Sequence, residues 1–265
     1  MKLLSGEIIS NEKYNDNLYK MDVFSPYICK NATAGHFINI KCSAGDIMQP
    51  LLRRPFSIFS IEEKFNVFSI LYVVRGAGTR FMSVLERGDI LDFAGPMGNG
   101  IILGRDEENI LLIGGGIGIA PLNLLAEVAA GAGKKNVFFA AGFKDISFKR
   151  WEKDLLELRV RYSIFTEDGS LGERGLVTDY VRDNVKDFEE YNVYCCGPRD
   201  MLKEIQNIYS GKKNRVIALL EERMACGIGV CSGCVVKIKK GKRKTSYMKV
   251  CQDGPAFNLK EVVFD

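Results

Sequence analysis

The sequence predicts a mixed fold of three parts: an antiparallel β-barrel, a parallel doubly wound α/β domain, and a small C-terminal domain built around cysteines. Short alternating strands fill residues 1–102, whereas strands alternate with helices over residues 103–215. Residues 216–265 are rich in cysteine and glycine, then basic, and end in a short strand-like tail. We therefore predict domains at 1–102, 103–215 and 216–265.

The first region predicts a small antiparallel barrel or a sandwich because its apolar residues alternate with period two and Gly, Pro and Asn separate the runs. One short helix is predicted over 79–84. The clearest strand segments are HFINIKC (36–42), FSIFSI (56–61), NVFSILYVV (66–74) and DILDFAGP (89–96).

The second region begins with an apolar run of the buried-strand type, NILLIGG (109–115), which leads through a glycine-rich turn into the helix predicted over 120–130. Regular alternation then predicts a parallel, doubly wound sheet. The further strands are predicted over 136–142, 160–166 and 192–197, and the further helices over 147–158, 176–185 and 199–209.

The composition is that of an ordinary globular protein: 265 residues, 46% hydrophobic and 26% charged. A net charge of +4 is too small to indicate nucleic-acid binding. The start of the chain lacks the apolar core of a signal peptide, and no run of about 18 apolar residues predicts a membrane span. The expected location is the cytoplasm.

Four of the eight cysteines carry the strongest chemical signal. Cys226, Cys231 and Cys234 have the spacing C-x4-C-x2-C, and Cys251 follows after an intervening stretch. This is the plant-type ligand pattern of a [2Fe–2S] cluster, a one-electron carrier. The alternative is a four-cysteine zinc site, but such sites more usually have two C-x2-C pairs, and this segment has one. The single histidine, His36, excludes Rieske ligation.

The turn GGGIGIAPL (114–122) follows a buried strand and opens a helix, which is where a dinucleotide pyrophosphate binds in doubly wound domains. The turn departs from G-x-G-x-x-G because Pro121 stands where the helix-packing glycine is expected. The alternative is a tight turn of any α/β domain.

Three further segments are ambiguous by themselves. RRPFSIFS (53–60) places an arginine and a small hydroxyl where they would contact a phosphate and a ring edge, or simply forms a solvated strand end. YCCGPRDML (194–202) places cysteines at a strand end, where core filling is the alternative, preferred for Cys195. The basic run 237–244 is interpreted as a solvated hairpin tip, with docking to an acidic partner as the alternative.

These motifs, in this order, resemble the ferredoxin–NADP reductase superfamily and, within it, the electron-transfer subunits of NAD-dependent (class 1B) dihydroorotate dehydrogenases. The resemblance covers essentially the whole chain. The matching motifs are R-P-x-S at Arg54–Ser57, G-x-G-T at 76–79, G-P-x-G-N-G at 95–100, GGGIGIAPL, TEDGSLGERGLVTD at 166–179, CGPRDM at 196–201, and the cluster motif at 221–257.

The resemblance implies an FAD-binding barrel, an NAD-binding α/β domain and a plant-ferredoxin-like [2Fe–2S] domain. It places Ser57 near the flavin N5 and Cys196 near the nicotinamide, as the two residues of the catalytic site. The implied FAD contacts are Arg54, Pro55, Phe56, Ser57, Leu71, Tyr72, Val73, Gly78 and Thr79. The implied NAD contacts are Gly115, Gly116, Gly118, Asp168 and Gly169.

The resemblance also implies a function: electrons pass from a dihydroorotate-oxidising FMN subunit through the cluster and FAD to NAD+, in pyrimidine biosynthesis, within a heterotetramer of two subunit types. FAD is needed between the other two groups because NAD exchanges two electrons and the cluster exchanges one. The stretch after the second strand, 142–145, holds one charge of each sign and so does not distinguish NAD from NADP. The preference for NAD is therefore what the family implies.

Two other functions are compatible with parts of this pattern. One is an FAD/[2Fe–2S] subunit of an NADH-dependent ferredoxin:NADP reductase or of a sulfide- or hydrogenase-type reductase. The other is a non-enzymatic α/β binding module held by zinc, which a colourless protein would indicate.

Overall fold

The computed structural model describes residues 1–43, 49–134, 136–241 and 244–264. The N-terminal part is one antiparallel sheet of seven strands in the order β4-β3-β7-β1-β2-β6-β5. Its strands are β1 Lys2–Lys13, β2 Leu18–Phe24, β3 Phe37–Ile40, β4 Arg54–Ser57, β5 Ser60–Glu62, β6 Val67–Val73 and β7 Ile90–Met97, with helices α1 Pro26–Asn31 and α2 Ala77–Ser83 and a 3-10 turn at Glu63–Phe65.

The predicted barrel is a curled sheet, a half-barrel, because no ladder within the described residues joins β4 to β5. The single strand predicted over 56–61 is wrong: it is two strands on opposite edges of this sheet. The chain crosses between those edges at Ile58 and Phe59, which are both buried in the core. An apolar run that enters a core gives no sign that it also changes strand partner.

The second part is a seven-stranded sheet in the order β11-β10-β9-β8-β12-β13-β16, parallel except for its last strand. Its strands are β8 Asn109–Gly115, β9 Asn136–Phe143, β10 Arg161–Thr166, β11 Glu173–Arg174, β12 Asn192–Cys196, β13 Val216–Leu219 and β16 Ala256–Asn258. The helices are α3 Ile119–Gly131, α4 Trp151–Glu157, α5 Val177–Asp183 and α6 Arg199–Ile208, with 3-10 turns at Gly116–Gly118 and Ile146–Phe148. The predicted doubly wound sheet is confirmed.

The C-terminal segment is a hairpin of β14 Val235–Lys240 and β15 Lys244–Lys249, followed by the short helix α7 Val250–Asp253 and a 3-10 turn at Leu259–Glu261. Its first and last strands, β13 and β16, extend the parallel sheet, so the segment shares a sheet with the second part of the fold. The predicted boundary at 215/216 stays a prediction. Residues 242–243 of the predicted basic tip lie outside the described residues.

Helix α3 joins the first two parts. It is apolar on nearly every face because it lies between the parallel sheet and strand β5. Its polar residue Asn123 is buried and satisfied: its amide donates to the Phe59 carbonyl at 3.3 Å, and its oxygen accepts from Trp151 Nε1 at 3.0 Å. One turn later, a Glu127 carboxyl oxygen accepts from the backbone N–H of Ile61 at 3.3 Å.

Within the described residues, no helix combines the length and apolar character needed to cross a bilayer.

Glu127 predicts a pH dependence of stability. Burial raises the pKa of its carboxyl from 4.5 to about 7, against the N–H of Ile61 and the charge of Lys20, which lower it. The folded state therefore holds this proton more tightly than the unfolded state. The resulting stabilisation is complete below about pH 4.5 and is lost as the pH rises to about 7.

We expect Glu127→Gln to gain stability relative to wild type across that window, by about 3 kcal/mol once the pH reaches 7. Urea unfolding of both proteins at pH 5, 6, 7 and 8 measures this difference. A difference that is constant with pH would contradict the assignment.

Candidate functional site

The four predicted cluster ligands lie together on the loop between β13 and β14 and at the start of α7. Cys234 and Cys251 are buried with their sulfurs 3.3 Å apart, Cys226 is partly buried, and Cys231 is exposed. All eight cysteines of the chain are free. The spacing in the sequence therefore corresponds to one cluster of thiols in space.

Backbone N–H groups surround these sulfurs because glycines let the loop turn inward. Gly227 and Gly229 have positive φ angles of 70° and 82°. The N–H···S contacts are Ile228 to Cys226 at 3.4 Å, Cys231 to Cys226 at 3.4 Å, Gly229 to Cys251 at 3.2 Å, Gly233 to Cys231 at 3.4 Å and Cys251 to Cys234 at 3.5 Å. Such donors stabilise thiolate and inorganic sulfide.

The donors act unequally on the four thiols. The N–H groups of Cys231 and Ile228 lower the pKa of Cys226 to about 6. Burial raises the pKa of Cys251 to about 11, and the adjacent thiol of Cys234 adds to the rise. Bound iron would cancel the rise in the pKa of Cys251, since a coordinated thiol is deprotonated by the charge of the metal.

This loop fits a [2Fe–2S] cluster on its donor set: four free thiols and five inward N–H···S contacts. No three metal-binding side chains in the described part of the chain gather around one ion position. A two-iron cluster does not require that arrangement, because each iron takes two of the four thiolates.

The glycine-rich turn lies at the carboxyl end of β8 and lines a cavity of about 1040 Å³. Gly118 packs against the end of β12: a Cβ added there would lie 2.7 Å from Gly197 N and closer still to the Cys196 carbonyl. The predicted residues Gly115, Gly116, Gly118 and Cys196 all line this cavity. The structure thus brings together the two strand ends that the sequence singled out.

Cys196 is only 8% exposed, and burial raises the pKa of its thiol to about 12. Because it stays protonated at neutral pH, it acts neither as a base nor as a thiolate nucleophile there. The neutral thiol forms part of the cavity wall.

Asp168 and Gly169 lie outside the lining of this cavity, although Glu167 next to them is part of it. The exposed Asp168 carboxylate accepts from the backbone N–H and the hydroxyl of Ser170, at 2.9 and 2.6 Å, which lowers its pKa. Their implied contact with NAD stays a prediction.

The sequence reasoning did not identify two further parts of the cavity wall. Phe143 and Phe148 stack with their ring centroids 4.5 Å apart, and Glu221 also lines the cavity. The aromatic residue at the end of β9 was a usable signal for the first. Glu221 belongs to the cluster motif, so nothing in the sequence connects it with a nucleotide cavity.

The stretch implied to bind FAD is split between β4, β6 and α2. Arg53 pairs with Asp92 at 2.8 Å, whereas no carboxylate among the described residues pairs with Arg54. Arg54 packs beside Gly78, where an added Cβ would lie 3.5 Å from its Cγ. Of these two arginines, Arg54 is therefore the candidate for contact with a phosphate. The Thr79 hydroxyl accepts from the N–H groups of Arg75 and Gly76 and holds this turn.

Among the described residues, no strand pairs with β6 on this side beyond the end of β5. The N–H of Phe59 donates to the Ser69 carbonyl, and β5 pairs no further along β6 than Ser69. Because backbone groups alternate in direction along a strand, Leu71 and Val73 point their N–H and C=O groups to the same side as Ser69. These groups and Arg54 fit a bound dinucleotide. The Tyr72 side chain, in contrast, is buried and donates to Asn11 Oδ1 at 3.0 Å.

Gly118 gives a test of the nucleotide cavity. We expect Gly118→Ala to weaken NADH-dependent dye reduction about tenfold or more, because the new methyl group meets backbone and must displace the turn. Steady-state kinetics with NADH measures the loss. Gly131→Ala at the end of α3 is the matched control, since an added Cβ there meets nothing within 4 Å. Equal kinetics for the two variants would contradict the placement of the pyrophosphate.

The C-terminal segment and the whole chain both match known proteins. The family profile of the iron–sulfur cluster binding domain of dihydroorotate dehydrogenase B matches residues 221–263. The dihydroorotate dehydrogenase B (NAD(+)) electron transfer subunit of Bacillus cereus (strain B4264) is 36% identical over 260 residues, covering 97% of this chain and 96% of the relative. That of Caldanaerobacter subterraneus subsp. tengcongensis is 38% identical over 262 residues, covering 98% of each.

Solved structures agree on the fold. The structure of an NADH-dependent reduced ferredoxin-NADP oxidoreductase superposes with a TM-score of 0.80 at 25% identity, covering 97% of this chain and 89% of that chain. A ferredoxin NADP+ reductase from Neisseria gonorrhoeae with bound FAD and NADP gives a TM-score of 0.64 at 17% identity, covering 80% and 92%. With nearly full-length relatives above 35% identity, the chain belongs to the family of dihydroorotate dehydrogenase B (NAD(+)) electron transfer subunits.

Proposed function

We propose that this chain carries electrons between a dihydroorotate-oxidising, FMN-containing catalytic subunit and NAD+. Oxidation of dihydroorotate to orotate releases two electrons and two protons; NAD+ takes up both electrons and one proton, and the other proton goes to solvent. When bound, FAD exchanges a hydride with the nicotinamide and single electrons with the [2Fe–2S] cluster. The observation that carries the proposal is the contact of the cluster loop with the half-barrel that carries Arg54–Ser57: a Cβ added to Gly227 would lie 2.8 Å from both Asn39 of β3 and Met97 of β7.

The chain's own residues bind and position the three groups. Arg54 would hold the FAD pyrophosphate with the backbone of Leu71 and Val73, and Pro55 to Ser57 would line the flavin ring. The turn at Gly115 to Gly118 would hold the NAD pyrophosphate. Ser57 and Cys196 would flank the reacting rings, and neither would be required to transfer a proton.

The cluster site has an inner and an outer side. Cys234 and Cys251 are buried, whereas Cys231 is exposed on a loop that also presents Ile228 and Val230, 48% and 77% exposed. Apolar side chains exposed at a redox centre indicate a surface for a partner protein. We propose that the catalytic subunit docks over Cys231 and that two subunits of each type assemble as a heterotetramer. A reducing compartment such as the cytoplasm would keep all eight thiols free.

One observation favours a second function. The structural match to an NADH-dependent reduced ferredoxin-NADP oxidoreductase fits a subunit of such an enzyme. Purified complexes distinguish the two functions: reduction of NAD+ by dihydroorotate supports the first, and NADH-dependent exchange between ferredoxin and NADP supports the second. Comparing NADH with NADPH in the same assay tests the proposed preference for NAD.

Removing one ligand tests the order of the carriers. We expect Cys231→Ser to lose the visible and EPR signals of the cluster and most dihydroorotate:NAD activity, while NADH-dependent reduction of a hydride-accepting dye persists. Ser232→Ala, next to it on the loop, should keep both activities. Loss of dye reduction in Cys231→Ser with FAD retained would contradict a path in which FAD lies between NAD and the cluster.

A charge on the loop tests the docking surface. We expect Val230→Asp to reduce coupled dihydroorotate:NAD activity about tenfold and to spare NADH–dye activity, because a charge would be desolvated on docking. The control is Leu156→Asp, a similarly exposed leucine on α4. Equal effects of the two variants on coupled activity would contradict docking at this loop.

A further inference from the structure

Asn39 is a polar residue in an apolar setting, on the face of β3 that the C-terminal segment covers. Its neighbours Ile38 and Ile40 point into the core of the half-barrel, so that Phe37 and Asn39 point to the other face. That face packs with Met97 of β7 and with the core around Cys234 and Cys251.

The Asn39 side chain is buried without a full set of partners. The residue is 2% exposed, and its Oδ1 has no hydrogen-bond partner among the described residues. Leaving a buried carbonyl unpaired costs about 1–3 kcal/mol, so an apolar side chain of similar shape would be more stable here. A polar group kept under this penalty indicates a use other than packing.

The cluster loop rests on this side chain. A Cβ added to Gly227 would lie 2.8 Å from Asn39 Nδ2 and 2.8 Å from Met97 Cε, so the residue after Cys226 is in close contact with both. On the other side, Asn39 pairs with Pro55 of β4, and Phe37 pairs with Ser57. Asn39 thus lies between a cluster ligand and the strand proposed to line the flavin.

We propose that Asn39 is a positioning residue that holds the turn at Cys226 and Gly227 against β4 and, by its amide dipole, tunes the cluster potential. The inference rests on the electron path of the proposed function. Hydrogen-bond donors and dipoles close to a cluster ligand set both its orientation and its potential. Asn39 does this from a strand, which is more rigid than a loop.

Two substitutions of similar shape test the role. Asn39→Leu removes both polar atoms, and Asn39→Asp replaces the amide with a carboxylate. We expect NADH to reduce FAD at the wild-type rate in Asn39→Leu and to reduce the cluster about tenfold more slowly, as stopped-flow absorbance measures. In Asn39→Asp the added negative charge should lower the cluster midpoint potential in an EPR-monitored titration. A tenfold change in the FAD–cluster equilibrium corresponds to about 59 mV for one electron.

The control is Asn31→Asp, which makes the same charge change at the exposed end of α1. It should leave the rates and the potential unchanged. If both Asn39 variants match wild type in cluster reduction rate and in potential, the proposal is overturned. If NADH fails to reduce the cluster in wild type, the electron path is wrong, and the role of Asn39 falls with it.

A further measurement distinguishes a folding defect from loss of the positioning role. If Asn39→Leu does not retain its cluster, amide hydrogen exchange over residues 225–231 in Asn39→Asp decides the question. Faster exchange confined to this loop supports the positioning role, and wild-type exchange overturns it.

Discussion

The structure depends on how the C-terminal segment is held against both sheets at once. Strand β16 pairs with β13 and so fixes the segment to the parallel sheet. The N–H of Asn99 donates to the Gly254 carbonyl at 2.7 Å, which fixes the same segment to the half-barrel. The loop with the cysteines follows β13, and the fourth cysteine, Cys251, lies three residues before Gly254. An electron carrier held from two sides keeps its distance to a neighbouring carrier, which transfer between fixed centres requires.

The electrostatics divide the chain into two kinds of site. Around the cysteines, inward N–H groups favour negatively charged sulfur, and the pKa of Cys226 falls to about 6. At the nucleotide cavity, burial keeps the Cys196 thiol protonated, with a pKa of about 12. The first environment stabilises a charged inorganic group, whereas in the second the Cys196 thiol stays neutral and offers no base. This division fits a protein that positions cofactors and leaves substrate chemistry to another subunit.

The four thiols differ in exposure between the two sides of the cluster site. Cys234 and Cys251 face the core that the cluster segment shares with the half-barrel, and Cys231 faces solvent beside exposed apolar residues. Asn39 lies on the inner side, between the loop and the strand proposed to line the flavin. The proposed partner surface and the proposed positioning residue therefore lie on opposite sides of one cluster, as a relay from one protein to the next requires.

The sequence by itself determined the chemistry: the cysteine spacing, the glycine-rich turn after a buried strand, and the alternation of strands and helices are local patterns with local physical causes. Only the tertiary structure decided how distant segments meet. It divided 56–61 between two sheet edges, buried Tyr72, left Asp168 outside the cavity, brought Glu221 of the cluster motif into the cavity wall, and placed Asn39 beside the cluster loop. These outcomes depend on which strands pair and which faces are covered, and such non-local packing leaves no periodic signal in the chain.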